Sequence, residues 1–173
     1  MRLLSDLDIA KKKVALRLDL NVPIKEGVVT DDTRILASLE TLNYLIKAEA
    51  KIVILSHLGR PKEGTFDEQL SLRPVASHLS NELGISISLI NSMKEFHDTN
   101  AQICMLENIR FFDGESKNSD SLAREIGSHI DVYVFDAFGT SHRKQASTYG
   151  AIKVAPLSCA GFLVQREVEA LSR

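Results

Sequence analysis

Four strand-like segments recur along the chain, and polar residues follow each of them directly. The segments are 14–21, 52–55, 103–106 and 132–135. The first alternates apolar with other residues as a strand does, and the other three are short apolar runs that indicate buried strands. Helical stretches separate them, a pattern typical of βαβ units. We therefore expect an α/β fold, a three-layer, Rossmann-like, doubly wound parallel sheet with helices on both faces.

The intervening stretches predict a fifth strand and five helices. Asp31 or Asp32 is expected to cap the first helix, and Gly84 to close the second. After the last helix the chain stops at Arg173 without a capping glycine or a polar tail, which we interpret as a cut in a longer chain. The predicted bounds are 85–90 for the strand and 33–48, 71–83, 121–130 and 162–171 for four helices, with a short fifth helix within 91–101.

Composition and charge argue against several classes of protein. The chain has 21 basic and 23 acidic residues, so it resembles neither a basic nucleic-acid binder nor a protein with a polybasic membrane patch. No apolar stretch approaches the roughly 20 residues that a membrane helix needs, and the amino terminus lacks a secretory signal. Cys104 and Cys159 have no CxxC spacing, and the histidines have no metal spacing. We expect a cytoplasmic protein without a metal site and without nucleic-acid or membrane partners.

The polar residues that follow the strands are rich in arginine. In a parallel sheet the carboxyl ends of the strands share one edge, and ligands bind there. Arg34 joins from the first turn of a helix, where a cation opposes the helix dipole and suggests another role; a solvent-facing arginine is the alternative. The expected cluster contains Asp19, Asn21, Arg34, His57, Arg60, Glu107, Asn108, Arg110, Asp136, His142 and Arg143.

Four arginines in one cleft repel one another unless an anion lies between them. The planar guanidinium fork suits carboxylates and phosphates, which it can bind with two parallel hydrogen bonds. Asp19 and Asn21 would add an acceptor and a donor for a hydroxyl group. The implied ligand is a small molecule with at least two anionic groups and a hydroxyl.

The same residues allow two competing interpretations. The arginines could form structural ion pairs, for example Glu107 with Arg110 and Asp136 with Arg143. The cleft could also belong to a non-catalytic anion-binding module that senses a phosphorylated metabolite. The sequence has no GxGxxG, GxxxxGK[ST] or GxSxG motif, so other common chemistries find little support.

Five collinear motifs resemble the amino-terminal domain of the phosphoglycerate kinase family. They are LRLDLNVP, DDTRI, SHLGRP, LENIRF and DAFGTSHRKQAST, and the resemblance runs from about Lys12 to the last residue. A further segment, PLSCAGFLVQREVEAL, resembles the start of that family's interdomain helix. Leu20 and Phe135 stand where phenylalanine and asparagine are frequent in the family, and both departures are mild.

The resemblance implies reversible phosphoryl transfer between ATP and the carboxylate of 3-phosphoglycerate, giving 1,3-bisphosphoglycerate and ADP. It implies that Arg34 is catalytic and faces both the carboxylate and the phosphoryl group in transfer. Asp19 and Asn21 would hold the hydroxyl and backbone of the substrate, while one histidine and three further arginines would clamp its phosphate. The residues implied to bind substrate are Asp19, Leu20, Asn21, Arg34, His57, Leu58, Gly59, Arg60, Arg110 and Arg143.

The resemblance also implies that this chain is half of an enzyme. Residues 1–156 would form the substrate-binding domain, and 157–173 would start the interdomain helix that leads to an absent nucleotide-binding domain. Mg-ATP or Mg-ADP would bind to that absent domain, so no cofactor is expected in this chain. The full-length enzyme would be a cytoplasmic monomer of glycolysis, and the half alone would bind 3-phosphoglycerate weakly without kinase activity.

Overall fold

A six-stranded parallel sheet forms the centre of the molecule. The structure, a computed structural model, describes residues 2–140 and 143–172. In chain order its strands are β1 (Lys13–Leu18), β2 (Ile24–Lys25), β3 (Val28–Val29), β4 (Lys51–Leu55), β5 (Ser88–Ile90), β6 (Ile103–Leu106), β7 (Val132–Asp136) and β8 (Leu157–Ala160). The sheet has the order β5-β6-β4-β1-β7-β8, while β2 and β3 form a separate antiparallel hairpin. All five strand pairs of the sheet are parallel, which confirms the predicted α/β fold.

Helices cover both faces of this sheet. They are α1 (Thr33–Ala37), α2 (Leu39–Lys47), α3 (Arg73–Leu83), α4 (Met93–Asp98), α5 (Asp120–Gly127), α6 (Ala151–Val154) and α7 (Phe162–Leu171). One apolar core lies between the sheet and α1, α2, α3 and α7, and the other lies between the sheet and α4, α5 and α6. The predicted three layers are therefore present. None of the helices in the described ranges combines the length and the apolar character needed to cross a bilayer.

Strand β1 contributes side chains to both layers. Leu16 and Leu18 pack into the first core, and Ala15 packs into the second. Arg17 takes the next position on the second face and is completely buried. A charged residue in the middle of a strand that is covered on both sides is rare, and it needs polar partners inside the protein.

The helix predicted over 33–48 is divided into α1 and α2 at Ser38. The hydroxyl of Ser38 donates to the carbonyl of Ile35 over 2.6 Å, and its backbone N–H bonds to the same carbonyl over 3.1 Å. A serine that bonds back onto the preceding turn competes with the regular helical ladder. By contrast, the helix 162–171 matches its predicted bounds, and Gly84 closes α3 in the left-handed region at φ 66° as expected.

Several elements were not predicted from the sequence. Residues Ala146–Gly150 form a π-helix that leads into α6, and β8 adds a sixth strand to the sheet. The hairpin of β2 and β3 lies between the first predicted strand and the first predicted helix, where no strand was predicted. The strand expected over 85–90 is shorter, because only β5 pairs with β6.

The start of α7 is held by a buried carboxylate. Asp136, the last residue of β7, accepts a hydrogen bond from the hydroxyl of Thr41 at 2.7 Å and from the N–H of Val164 at 3.1 Å. Gly161 is required beside it, because a Cβ there would lie 2.3 Å from the carboxyl carbon of Asp136. Burial raises the pKa of Asp136, and these hydrogen bonds oppose that rise.

The division of the chain at 156 into a domain and the start of an interdomain helix stays a prediction.

Candidate functional site

The four strands that precede the predicted polar residues are neighbours in the sheet. Strands β6, β4, β1 and β7 lie side by side and run in the same direction. Their carboxyl ends therefore meet at one edge, the position where open α/β sheets bind ligands. The site is built from the loops that leave these four strands and from the first turn of α1.

Arg34 lies against the loop that follows β1. Its Nη1 donates to Oδ1 of Asp19 at 3.1 Å and to the carbonyl of Asn21 at 2.8 Å. The side-chain amide oxygen of Asn21 accepts the N–H of Gly59 at 3.0 Å, which ties this loop to the loop after β4. About half of the Arg34 side chain (51%) is exposed, so a ligand at this edge can reach it.

Asn108 joins the loops that leave β4 and β6. This side chain is fully buried and donates to the carbonyls of Leu58, at 2.7 Å, and Leu70, at 3.0 Å. Its oxygen accepts the N–H groups of Leu58 and Arg110. Arg110 in turn donates from Nη1 to the carbonyl of Gly59 at 2.6 Å. Asn108 therefore acts as a scaffold between the loops, and Arg110 is oriented by one of them.

His57 lies close to several positive charges at this edge. Its pKa is lowered to about 3, first by burial and then by nearby positive charge. The same repulsion acts on Arg110, whose pKa is lowered by burial and then by other guanidinium groups, including that of Arg60. The charges that lower the pKa of His57 belong to Arg17, Arg110, Arg143 and Arg34. Three of the four predicted arginines, Arg34, Arg110 and Arg143, therefore place positive charge near a neutral His57, and the fourth, Arg60, acts on Arg110.

Two of the predicted acidic residues form hydrogen bonds at the starts of helices and not with arginines. Glu107 accepts the hydroxyl of Ser71 at 2.7 Å and the N–H of Leu72 at 2.8 Å, at the start of α3. Asp136 holds the start of α7 through the N–H of Val164. Both carboxylates are buried in these roles, so they are not free to neutralise the cationic edge.

The ion pairs that were considered as an alternative are not found in the described ranges. Across residues 2–140 and 143–172, no carboxylate lies within 4.0 Å of a guanidinium nitrogen of Arg60, Arg110 or Arg143. Within this part of the chain, the pair between Arg34 and Asp19 is the one close contact of opposite charges at the site. The edge therefore carries an excess of positive charge that an anionic ligand would neutralise.

Arg17 is the site residue that sequence reasoning missed. Its guanidinium contacts the Oγ of Ser147 at 3.0 Å and Nδ1 of His57 at 3.1 Å, and it also donates to the carbonyl of Leu18. Burial lowers the pKa of Arg17. The available signal was its position, because an arginine on the same face as Ala15 in a doubly covered strand has no route to solvent.

The remaining predicted residues take different positions. The side chains of Leu20 and Leu58 are buried in the first core, and their backbone N–H groups already donate to Ser56 and Asn108. Arg60 is exposed. His142 lies outside the described residues. The individual substrate contacts predicted for these residues stay predictions.

A groove of about 1200 Å³ lies elsewhere, between the β2–β3 hairpin and α3, and none of the predicted site arginines lines it. Near it, Asp32, His78 and Glu82 place potential metal-ligand atoms within 4.8 Å of one another. Nε2 of His78 lies 3.0 Å from Oδ2 of Asp32 and 3.8 Å from Oε1 of Glu82, so both carboxylates approach the imidazole.

Comparisons with known proteins agree on one family. A family model described as phosphoglycerate kinase matches residues 4–173. A curated phosphoglycerate kinase from Desulfovibrio desulfuricans is 46% identical over 170 residues, which are 98% of this chain and 44% of the relative. The solved phosphoglycerate kinase of Coxiella burnetii is 45% identical with a TM-score of 0.91, covering 98% of this chain and 44% of that one. The Pyrococcus horikoshii OT3 enzyme is 33% identical with a TM-score of 0.87, covering 100% and 45%. The chain thus spans less than half the length of these relatives.

Proposed function

The chain belongs to the phosphoglycerate kinase family, and from this membership we propose that it is the acid-binding half of a phosphoglycerate kinase. The reaction would be reversible transfer of a phosphoryl group between ATP and the carboxylate of 3-phosphoglycerate, giving 1,3-bisphosphoglycerate and ADP. The observation that carries this proposal is the positive charge that Arg17, Arg34, Arg110 and Arg143 place around a neutral His57 at one edge, with a single close carboxylate, that of Asp19, among the described residues.

The proposed substrate has the chemistry that this edge would recognise. A phosphate and a carboxylate would occupy the space between Arg34, Arg60, Arg110 and Arg143, since guanidinium groups bind both anions. The hydroxyl group of the substrate would lie beside Asp19 and Asn21, whose side chains can accept and donate a hydrogen bond. Leu20, Leu58 and Gly59 would support the site through the backbone.

The transfer itself would need no general base, because the attacking carboxylate is already an anion. A new bond forms between a carboxylate oxygen and the γ-phosphorus of ATP, while the bond from that phosphorus to the β–γ bridging oxygen breaks and ADP leaves. Catalysis is then a matter of position and charge neutralisation. Arg34 is proposed as the catalytic residue, since its half-exposed guanidinium can face both the carboxylate and the moving phosphoryl group.

The nucleotide is assigned to another part of the protein. This chain spans 44–45% of the length of its relatives, and we propose that a second domain, reached through α7, binds Mg-ATP or Mg-ADP. Acid and nucleotide would meet when the two domains close. The proposal includes a monomeric full-length enzyme in the cytoplasm, a location that the two free, buried cysteines support.

Calorimetric titration of the chain with 3-phosphoglycerate and with ATP tests this assignment. We expect heat with 3-phosphoglycerate and none with ATP. Arg110→Ala should weaken binding of 3-phosphoglycerate at least tenfold, because it removes a guanidinium of the cluster. Arg124→Ala, which changes an exposed arginine paired with Asp120 on α5, is the matched control and should bind normally. Binding of ATP without any response to 3-phosphoglycerate would overturn the assignment.

A second experiment separates an enzyme half from a sensor of phosphorylated metabolites. The chain would be joined to the remaining part of the Coxiella burnetii relative and assayed in both directions of the reaction. Turnover by this chimaera, together with none by the chain alone, supports the kinase. Tight binding of 3-phosphoglycerate by a folded but inactive chimaera would favour the sensor.

A further inference from the structure

A buried polar network extends from the arginine edge into the second layer of the fold. Its members are Arg17 on β1, Glu115 in the loop before α5, Tyr133 on β7 and Ser147 in the π-helix. All four are essentially inaccessible to solvent. A buried polar group destabilises the fold unless it has a hydrogen-bond partner, so each donor in this network is expected to face an acceptor.

Ser147 is held in one orientation by three hydrogen bonds. Its N–H donates to Oε1 of Glu115 at 2.8 Å, and its hydroxyl donates to Oε2 of the same carboxylate. Its carbonyl accepts the hydroxyl of Tyr133. Because the single hydroxyl proton is used on Glu115, the oxygen of Ser147 can only accept from Nε of Arg17, which lies 3.0 Å away.

The next bond determines the protonation of His57. Arginine has five N–H donors and no acceptor, so the contact of 3.1 Å between Nη2 of Arg17 and Nδ1 of His57 requires that Nδ1 accept. A neutral imidazole carries one proton, and that proton must therefore be on Nε2. The low pKa of His57 agrees with a neutral ring.

We propose that Glu115 is a positioning residue for the anion site, which acts through Ser147 and Arg17 to hold His57 in the tautomer that presents Nε2–H to a bound acid. This inference rests on the proposed function for the identity of the acid. Glu115 does not touch the ligand. Arg17 can only donate, so it sets the direction of its own bonds to Ser147 and His57. The carboxylate of Glu115 fixes the position of Ser147, and through it the position of the guanidinium beside His57. It also offsets part of the buried charge of Arg17.

The test uses Ser147→Ala in the whole chain, because this variant breaks the network without leaving a large cavity. Two-dimensional ¹⁵N NMR of His57 without any ligand should change from a single Nε2–H tautomer to a mixture. Affinity for 3-phosphoglycerate should fall at least fivefold. Glu115→Gln, which keeps the length of the side chain but loses the charge, should show smaller changes in the same direction.

Thr41→Val is the matched control. Thr41 on α2 also donates a buried hydroxyl to a carboxylate, that of Asp136, but its other hydrogen bond accepts the N–H of Phe162 at the start of α7. Urea unfolding of both variants measures the loss of stability that any broken buried bond would cause. An unchanged His57 tautomer in Ser147→Ala, or an equal loss of affinity in Thr41→Val, would overturn the proposal. If the unsubstituted chain fails to bind 3-phosphoglycerate, the proposed function fails, while the tautomer measurement still decides the role of Glu115.

Discussion

Arg34 and Asp19 form an ion pair of 3.1 Å that leaves about half of the arginine side chain open to solvent. An exposed pair of this kind contributes little to stability, about 0–1 kcal/mol. Its effect here is orientation, because a second bond from the same nitrogen to the carbonyl of Asn21 fixes the guanidinium over the loop after β1. The guanidinium of Arg34 is therefore held at the edge of the sheet and stays accessible to solvent.

The first prediction concerns turnover when this arginine is removed. In the chimaera with a second domain, Arg34→Ala should lower kcat roughly 100-fold or more, at least as steeply as it raises KM. The reason is that its charge matters most when negative charge gathers between donor and acceptor. Steady-state kinetics measures both constants, with Arg124→Ala as the control. Near-normal kcat with only weakened binding would contradict the catalytic role.

The second prediction concerns the pH dependence of stability. The pKa of His57 is about 3 in the folded chain, compared with an ordinary value of about 6.5. Between these values the unfolded state binds more protons, so the free energy of unfolding should fall as the pH drops. The slope that His57 contributes approaches about 1.4 kcal/mol per pH unit well inside this window and falls toward zero as the pH rises past about 6.5.

Urea denaturation between pH 7.5 and 4.5 measures this effect, with His57→Gln as the comparison. The variant should lack the contribution of His57, so its stability should decline less between pH 6 and 5. Acidic groups such as Asp136, whose pKa burial raises, titrate in both proteins and cancel in the difference. Parallel pH profiles for the two proteins would show that His57 is not held neutral.

The third prediction concerns the scaffold between the loops. Asn108→Ala leaves buried backbone groups of Leu58 and Arg110 without partners, which should cost at least about 2 kcal/mol of unfolding free energy. Binding of 3-phosphoglycerate should weaken as well, although Asn108 is completely buried. Urea unfolding and calorimetry measure the two effects. Asn43→Ala, at an exposed position on α2, should change neither.

The fourth prediction concerns the close approach at the start of α7. Gly161→Ala would place a methyl group 2.3 Å from the carboxyl carbon of Asp136, so the carboxylate must move and release Val164 and Thr41. We expect a loss of roughly 2–4 kcal/mol in unfolding free energy.

Gly84→Ala provides the comparison for this prediction. A Cβ at Gly84 meets no atom within 4 Å, and its cost arises from the positive φ of 66°, which should amount to about 1 kcal/mol. Urea unfolding of both variants measures the difference. Equal losses would indicate that Asp136 has room to rearrange.

The predictions from sequence were most accurate where short-range chemistry decides the structure. The apolar run 103–106 became β6 with the same bounds, and Gly84 ended α3 as expected. The prediction of one continuous helix over 33–48 was wrong. The structure has two helices there, because the hydroxyl of Ser38 competes with the backbone hydrogen bonds that a continuous helix would make. Strand β8 was missed, since a short stretch at the edge of a sheet is defined by pairing with β7 rather than by its own pattern.

The sequence alone determined the parallel α/β architecture and the arginines at the strand ends, because apolar periodicity and the shared edge of a parallel sheet follow from local pattern and general geometry. Tertiary structure decided which charges are buried and what they contact. Arg17 and Ser147 are 130 positions apart, and nothing near either residue predicts their hydrogen bond. Likewise, the carboxylates of Glu107 and Asp136 accept hydrogen bonds from backbone N–H groups at the starts of helices, which the sequence did not predict. Desolvation and hydrogen-bond pairing depend on every element that packs around a group, so they are settled only when the chain is folded.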